Sequence, residues 1–236
     1  MTYDQSEFDV RCEWGLQGVR LLAPISDVVI IVDVLSFSTC VDIATGRGAI
    51  VYPYRWKDAS AEAFALSVDG ELAGPSNQGY TLSPRTLVSI PFGTRLVLPS
   101  PNGSTLTLST GSTPTLAGCL RNAVTVGQAA QRYGRRIAVI PAGEQWPDGS
   151  LRPAFEDWLG AGAILHGLSG EKSPEASAAV ACFLDAQPDL LARLNTCSSG
   201  KEKQERGQTE DNDLAGALNT STAIPVFKDG AYRSGS

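Results

Sequence analysis

The sequence predicts an α/β fold in which helices lie on both faces of a mixed β-sheet. Two continuous β-branched runs, at residues 28–35 and 136–141, are typical of strands that are buried on both faces of a sheet. Strand-like and helix-like segments alternate along the first half of the chain, and this alternation is typical of crossover connections. We therefore expect a three-layer α/β/α domain over residues 1–236, with two intimately packed α/β subdomains divided near residues 110–115 as the alternative.

The first half of the chain carries the clearest alternation. A Ser-Phe-Ser-Thr segment follows the run at 28–35 and supplies the side chains that favour a helix start. The expected elements are, in order, an edge strand at 8–14, a strand at 28–35, a helix from 36 to 46 or 48, a strand at 49–53, a helix at 58–68, a loop with short strands at 69–84, and strands at 86–90 and 95–98.

The second half becomes mostly helical in its last third. The expected elements are a strand at 116–120, a helix at 122–133, a strand at 136–141, a polar loop at 143–152, a helix at about 153–168, helices at 174–186 and 188–195, a charged stretch at 201–218 and a final strand at 224–227. The run at 201–206 has mixed charges at helical spacing, which is typical of a solvated helix face.

Composition excludes several functional classes. The 236 residues include 19 Lys and Arg against 25 Asp and Glu, a net charge of −6, which argues against a protein that binds nucleic acid or an anionic membrane. No apolar run approaches the roughly 18–20 residues that span a bilayer, and the acidic residues 1–11 do not resemble a signal peptide. The five widely spaced cysteines contain no CxxC pair, so we expect free thiols and a cytoplasmic protein.

Three predicted strands end in small or polar residues, at 33–39, 100–105 and 141–144. Ligands of open α/β sheets bind beyond the carboxyl ends of strands, and helix N-termini favour anions such as phosphate. Asp33 is a carboxylate at the end of an apolar run and therefore needs a partner. A metal ion is one such partner; a cap on the following helix is the other interpretation.

Well-known phosphate and hydrolase motifs are missing from the sequence. It has no GxxxxGK[ST] loop, no GxGxxG after a strand and no GxSxG elbow, and Leu35 stands where a haloacid-dehalogenase-type phosphatase has its second Asp. The single histidine, His166, lies in an apolar helical segment, which disfavours a Ser-His-Asp hydrolase.

An acidic pair, Glu156-Asp157, lies near the start of a predicted helix. Acidic residues are common in the first helical turn because they complement the helix dipole. Together with Asp33 and Glu144, the pair could instead supply the hard oxygen ligands that Mg²⁺ prefers.

An ordered set of short motifs resembles the 2-phosphosulfolactate phosphatase family and spans roughly residues 28 to 230. The motifs are Val32-Asp33-Val34-Leu35 with a Ser/Thr-rich helix start, Ser83-Pro84, Asn102-Gly103-Ser104-Thr105, Gly118-Cys-Leu-Arg-Asn122-Ala, Pro141-Ala-Gly143-Glu144, Glu156-Asp157 followed by Ala161-Gly162, and Ser198-Ser199-Gly200 with Gly207 and Asp211.

The resemblance implies a Mg²⁺-dependent phosphatase that converts 2-phosphosulfolactate to sulfolactate and phosphate, a step of coenzyme M synthesis in some organisms. It also implies a homodimer. By the same resemblance, Asp33, Glu156 and Asp157 are metal-binding or catalytic carboxylates, and Asp211 belongs to a further wall of the site. With Glu144, which the oxygen-ligand chemistry adds, the candidate metal ligands are Asp33, Glu144, Glu156, Asp157 and Asp211. The substrate-binding residues that the resemblance implies are Asn102, Gly103, Thr105, Ser198 and Gly200. The helix starts and the matched motifs add Ser36, Ser38, Thr39, Ser104, Arg121 and Asn122 as candidates.

Two departures from the family pattern concern the substrate. Typical members have Asp-Val-Leu-Arg-Ala-Thr where this chain has Ser36 and Phe37, and Gly-Glu-Arg where it has Gly74-Pro75-Ser76; Gln208 also replaces a usual aromatic residue. Arginines 47, 55, 85, 121 and 152 are candidates to compensate, and two of them, 121 and 152, lie inside matched segments. Two alternatives therefore stay open, which are a phosphatase of another small acidic phosphoester and a non-catalytic protein that binds an anion or metabolite.

Overall fold

One nine-stranded mixed sheet runs through the protein. A computed structural model describes residues 3–74 and 79–235. The strands of the described chain are β1 (Val10–Cys12), β2 (Val28–Val32), β3 (Ile50–Tyr54), β4 (Glu71–Leu72), β5 (Arg95–Pro99), β6 (Thr115–Gly118), β7 (Ile137–Pro141), β8 (Glu144–Gln145), β9 (Leu151–Arg152), β10 (Pro225–Lys228) and β11 (Ala231–Ser234). Strands β8 and β9 form a separate antiparallel pair.

The large sheet consists of two parallel sets joined by an antiparallel hairpin. Its order is β1-β7-β2-β6-β10-β11-β3-β5-β4. Strands β1, β7, β2 and β6 are mutually parallel, as are β3, β5 and β4, and the hairpin of β10 and β11 pairs antiparallel with β6 on one side and β3 on the other. Residues 110–115 lie where the chain returns from the second set to the first; a subdomain boundary there stays a prediction.

Helices cover both faces of the sheet. They are α1 (Gly15–Leu22), α2 (Phe37–Gly46), α3 (Ala59–Ser67), α4 (Gly103–Thr107), α5 (Ala123–Ala130), α6 (Phe155–His166), α7 (Pro174–Ala186), α8 (Leu190–Thr196), α9 (Ser198–Glu205) and α10 (Thr209–Ala215), with 3₁₀ turns at Ala23–Ile25, Pro84–Leu87 and Gln187–Asp189. In the part of the chain that the structure describes, no helix is long and apolar enough to cross a membrane.

The alternation of side chains along β2 shows why three layers form. Ile30 packs in one core with residues of α5, α6 and α7, whereas Val29 and Ile31 pack on the opposite face with residues of α1 and α4. Successive side chains of a strand point to opposite faces, so an uninterrupted apolar strand needs cover on both sides. The α/β fold with a mixed sheet between helices is confirmed, and all five cysteines are free.

The strand predicted at 86–90 is wrong. The chain forms a 3₁₀ turn at Pro84–Leu87 instead, in which the backbone N–H and the hydroxyl of Thr86 both donate to the carbonyl oxygen of Ser83, at 3.0 and 2.8 Å. Pro84 has the fixed φ that suits the first position of such a turn. These local bonds outweigh the β-propensity of Thr86 and Val88.

The charged run at 201–206 lies on α9 and the residue after it, and all of its residues except Lys203 are exposed, as expected of a solvated helix face. Helix α9 ends before Gly207, which has a φ of +68°, and α10 begins at Thr209. Lys203 is 8% exposed and points away from bulk solvent. Helix α1, the short helix α4 and strand β11 have no counterpart among the predicted elements. Helix α4 and strand β11 have five and four residues, which leaves little pattern to recognise.

Candidate active site

The segments that follow β2, β5 and β7 converge on one cavity of about 650 Å³. Strands β2 and β7 are parallel neighbours, so their ends meet by the geometry of the sheet. Strand β5 is separated from β2 by four strands in the sheet order, and hydrogen bonds bring its end to the same place. The described residues that line this cavity include the predicted site residues Asp33, Ser36, Asn102 and Glu144.

Asp33 binds the first residues of two helices. One carboxylate oxygen, Oδ1, accepts the backbone N–H of Phe37 at 3.2 Å, and Oδ2 accepts that of Gly103 at 2.9 Å. The hydroxyl of Ser38 holds the Asp33 backbone, because it donates to the Asp33 carbonyl oxygen at 2.8 Å and accepts the Asp33 N–H at 2.9 Å. Burial raises the pKa of Asp33, the two N–H groups oppose this, and the charge of Glu156 adds to the rise.

The N-termini of α2 and α4, which the sequence predicts as phosphate-binding positions, therefore already bind the carboxylate of Asp33. Both interpretations of Asp33 remain chemically compatible with this arrangement. It caps α2 through Phe37, as the capping interpretation requires, and it also lines the cavity.

Asp157 connects the ends of the two central strands. Its Oδ1 accepts the N–H of Val34 at 2.7 Å and its Oδ2 accepts the N–H of Gly143 at 2.8 Å, while the side chain is almost fully buried. Burial raises the pKa of Asp157 well above its ordinary range, and the charges of Asp33 and Glu156 add to that effect. Asp157 does not line the cavity; it fixes the loops that carry the residues which do.

Glu144 is the second carboxylate at the cavity. Its Oε2 accepts a hydrogen bond from the side-chain amide of Asn102 at 2.9 Å, so the ends of β7 and β5 are joined as well. Burial raises the pKa of Glu144 to about 7, with the charge of Asp33 as the next cause. Half of the Glu144 population would thus be ionised near neutral pH in the absence of a compensating cation.

Glu156 lies behind the cavity wall in the first turn of α6. It is 2% exposed, and the thiol of Cys197 donates to its Oε2 at 3.5 Å. Its charge raises the pKa of Asp33, Glu144 and Asp157, so the four carboxyl groups interact electrostatically. In the described ranges, however, no group of three or more His, Cys, Asp and Glu side chains converges closely enough to hold a metal ion.

The structure does not bring Asp211 together with those four carboxyl groups. Its side chain is fully buried and accepts hydrogen bonds from the Ser83 hydroxyl at 2.7 and 2.8 Å, the Arg85 N–H at 3.2 Å and the Lys203 ammonium at 3.1 Å. Donors therefore surround Asp211, and its contacts are those of a structural anion beside the cavity.

Arg121 and Asn122 lie away from the cavity. The Arg121 guanidinium donates to Asp42 Oδ2 at 2.9 Å and to the Leu214 carbonyl oxygen at 3.1 Å, and it lines a separate depression. Asn122 is fully buried and accepts the N–H of Cys119 at 2.8 Å, which closes the turn after β6. Their positions give both residues roles in packing the fold.

The remaining predicted residues support the site loops or lie outside them. Thr39 donates to the carbonyl oxygen of Val34 at 2.8 Å, and Ser104 donates to that of Leu98 at 3.1 Å. Thr105 is half-buried on α4. At the start of α9, Ser198 is exposed and Gly200 is buried.

Gly103 and Gly200 are sites where a side chain has no room. A Cβ on Gly103 would lie 2.2 Å from the Phe37 ring and 2.8 Å from Asp33 Oδ2. A Cβ on Gly200 would lie 1.8 Å from the carbonyl oxygen of Leu194. Both glycines therefore permit close packing of the chain near the cavity.

Four cations line the cavity, and they are Lys57, Arg85, Lys203 and Arg206. Among these, the sequence indicates a candidate role for Arg85 alone. Of the five arginines considered as compensation, Arg85 is the one among the described lining residues. Lys203 and Arg206 belong to the charged run at 201–206, whose pattern predicts a solvated helix face. The signal that could have pointed to them is the position of this run beside the Ser198-Ser199-Gly200 motif. Residues Pro75 and Ser76, which depart from the family pattern, lie outside the described residues.

Comparison with known proteins agrees with the motif order. The model of the family described as 2-phosphosulpholactate phosphatase matches residues 19–230. A protein named 2-phosphosulfolactate phosphatase from Methanothermobacter thermautotrophicus is 28% identical over 209 residues, covering 87% of this chain and 88% of the relative. A probable 2-phosphosulfolactate phosphatase from Gloeobacter violaceus is 30% identical over 213 residues, covering 84% and 87%. With the family model matched over nearly the whole chain, the protein belongs to the 2-phosphosulfolactate phosphatase family, a family named for a phosphoric monoester hydrolase.

Proposed function

We propose that the protein is a Mg²⁺-dependent phosphatase that hydrolyses 2-phosphosulfolactate to sulfolactate and phosphate. The observation that carries the proposal is one cavity in which the carboxylates of Asp33 and Glu144 lie beside four cationic side chains, in a chain of this family. Carboxylates suit a metal-bound phosphate, and cations suit an acidic substrate.

The donor chemistry supports Mg²⁺ as the cofactor. Burial raises the pKa values of Asp33 and Glu144, and each is raised further by neighbouring carboxylates, so a divalent cation would relieve an unfavourable concentration of charge. Mg²⁺ is usually held by one or two carboxylates, with water and substrate phosphate as its other ligands. A cage of three protein ligands is therefore not required, and Asp33 and Glu144 are the proposed ligands.

The chain's own residues would position the reacting groups. Asn102 orients Glu144, and the N–H groups of Phe37 and Gly103 fix the carboxylate of Asp33. Asp33 would serve as metal ligand or as nucleophile. Bound Mg²⁺ would supply neutralisation of the charge on the phosphoryl group in a loose transition state.

A related phosphoester is the second candidate substrate. Ser36 lines the cavity at the position where typical family members have arginine, so this chain lacks one cation beside Asp33. That observation favours a small phosphorylated acid whose recognition does not depend on an arginine at this position.

A phosphate-release assay tests the proposal. The purified protein is incubated with 2-phosphosulfolactate, 2-phospholactate or phosphoglycolate, in Mg²⁺ or in EDTA. We expect the highest kcat/KM for 2-phosphosulfolactate and loss of activity in EDTA that added Mg²⁺ restores. A preference for another phosphoester would favour the second candidate. No release from any ester, together with thermal stabilisation by a dianion, would instead indicate a non-catalytic anion-binding protein.

A further inference from the structure

The cavity carries two of its three carboxylates on different elements of the fold from most of its cations. Its described lining residues include four cations and three carboxylates, which are Asp33, Glu144 and Glu202, whereas the whole chain has a net charge of −6. The carboxylates Asp33 and Glu144 follow strands, while Arg85 lies on the 3₁₀ turn. Lys203 lies on α9, and Arg206 directly follows that helix. Arg85, Lys203 and Arg206 thus bring cations from two separate elements to one cavity.

A single buried carboxylate holds these two elements together. Asp211 accepts the backbone N–H of Arg85 at 3.2 Å and the ammonium group of Lys203 at 3.1 Å, and the hydroxyl of Ser83 donates to both of its oxygens. Because Asp211 is fully buried, these hydrogen bonds are protected from water and fix the relative position of the turn and the helix.

The two arginines keep their guanidinium groups available to a ligand. Arg85 faces Glu210 at 3.9 Å, and Arg206 faces Glu202 at 3.6 Å, and both pairs are substantially exposed. Exposed ion pairs of this length contribute little free energy, so an anionic ligand can compete for either guanidinium. Arginine binds carboxylate, sulfonate and phosphate oxygens in a bidentate manner.

We propose that Arg85, Lys203 and Arg206 form a cation wall that binds the acidic groups of the substrate other than its phosphate, and that Asp211 is the positioning residue of this wall. The inference rests on the proposed phosphatase function and assigns the residues that would recognise the carboxylate and the sulfonate of such a substrate. These cations would supply the charge that the chain lacks at Ser36.

Three substrates that differ in acidic groups test the wall. They are 2-phosphosulfolactate, 2-phospholactate, which lacks the sulfonate, and isopropyl phosphate, which lacks both acidic groups. In Arg85→Gln and Arg206→Gln, we expect the ratio of kcat/KM for 2-phosphosulfolactate to that for isopropyl phosphate to fall about 10- to 100-fold, mainly through KM. Arg193→Gln is the matched control, because it removes an arginine of α8 that is about as exposed as Arg85 and pairs with Asp189, four residues before it.

Asp211→Asn tests the positioning role. We expect the same fall in the ratio of kcat/KM for 2-phosphosulfolactate to that for isopropyl phosphate. The KM for 2-phosphosulfolactate should rise, whereas the kcat for isopropyl phosphate should change less. If Asp211→Asn does not fold, the two surface arginine variants still decide the matter. An equal loss on all three esters would overturn the proposal, because the cations would then bind the phosphate. An unchanged ratio would overturn it as well.

Binding of the product separates this inference from the proposed function. Sulfolactate carries the acidic groups without the phosphate, so its binding can be measured by titration calorimetry with the wild type and the Arg85→Gln/Arg206→Gln variant. Sulfolactate binding that is lost in the double variant would support the wall, whether or not the wild type releases phosphate. Absence of phosphate release by the wild type would overturn the phosphatase proposal alone. Equal binding to both proteins would overturn the wall.

Discussion

The carboxylate of Asp33 accepts the backbone N–H of Gly103 at 2.9 Å, across 70 positions of the sequence. This bond joins the end of β2 to the first residue of α4, after β5. Because the other oxygen of Asp33 accepts the N–H of Phe37, one side chain fixes the starts of two helices at the cavity. The geometry of the site therefore depends on Asp33 before any ligand binds.

Asp33→Asn should abolish most phosphate release. The amide retains one acceptor oxygen, but it loses the charge proposed to hold Mg²⁺, and its NH₂ group meets a backbone donor. We expect kcat to fall on the order of 100-fold or more, measured at saturating 2-phosphosulfolactate and Mg²⁺. A circular dichroism spectrum like that of the wild type would show that the fold persists. Full Mg²⁺-dependent activity in this variant would refute the role assigned to Asp33.

Gly103→Ala should lower both stability and activity. The new methyl group would overlap the ring of Phe37 and approach Asp33 Oδ2 at 2.8 Å. We expect the free energy of unfolding in urea to fall by about 1–3 kcal/mol, with a lower kcat because Asp33 moves. Gly167→Ala is the control, since its methyl group would be 3.7 Å from its nearest neighbour, the carbonyl oxygen of Ile164. Equal stability of the two variants would contradict the close packing at Gly103.

Glu144→Gln should change how stability depends on pH in the metal-free protein. The pKa of Glu144 is raised to about 7 in the folded state, whereas an unfolded glutamate titrates near 4.3. Below about pH 4 both states are protonated, and between about pH 4.3 and 7 the unfolded state loses its proton first, so wild-type stability falls as the pH rises.

We therefore expect Glu144→Gln and wild type to be about equally stable near pH 4, and the variant to be more stable by roughly 3–4 kcal/mol at pH 8. Urea unfolding in EDTA measures the difference. The exposed Glu62→Gln on α3 is the control and should show no such trend. A constant difference between wild type and Glu144→Gln from pH 4 to 8 would rule out the raised pKa.

Arg121→Gln should destabilise the protein without changing substrate affinity. The partner of Arg121, Asp42, is fully buried, and the variant leaves it with Ser221 as its side-chain donor at 2.6 Å. We expect a loss of about 3 kcal/mol in the free energy of unfolding and an unchanged KM for 2-phosphosulfolactate. Asp42→Asn and the double variant complete a cycle that measures the coupling of the pair. A large rise in KM would instead indicate that Arg121 takes part in substrate binding.

Much of the fold could be predicted because it depends on local patterns. The apolar runs of β2 and β7 have nearly the predicted bounds, and the helix predicted at 174–186 is observed as Pro174–Ala186. Predictions failed where side chains override propensity, as at Thr86, or where an element is short, as at α4. Such elements are stabilised by contacts with distant residues, which a local pattern does not contain.

The sequence by itself determined the α/β class, the order of the motifs and the carboxylates at strand ends, because strand periodicity and motif spacing are local properties of the chain. The tertiary structure decided which of those residues share a cavity. It places Asp33 and Glu144 there with Lys57, Arg85, Lys203 and Arg206, and it assigns Arg121 to a buried ion pair elsewhere. The physical reason is that charge pairing and burial act between residues that are distant in sequence, such as Asp211 and Ser83, and these contacts exist only once the chain has folded.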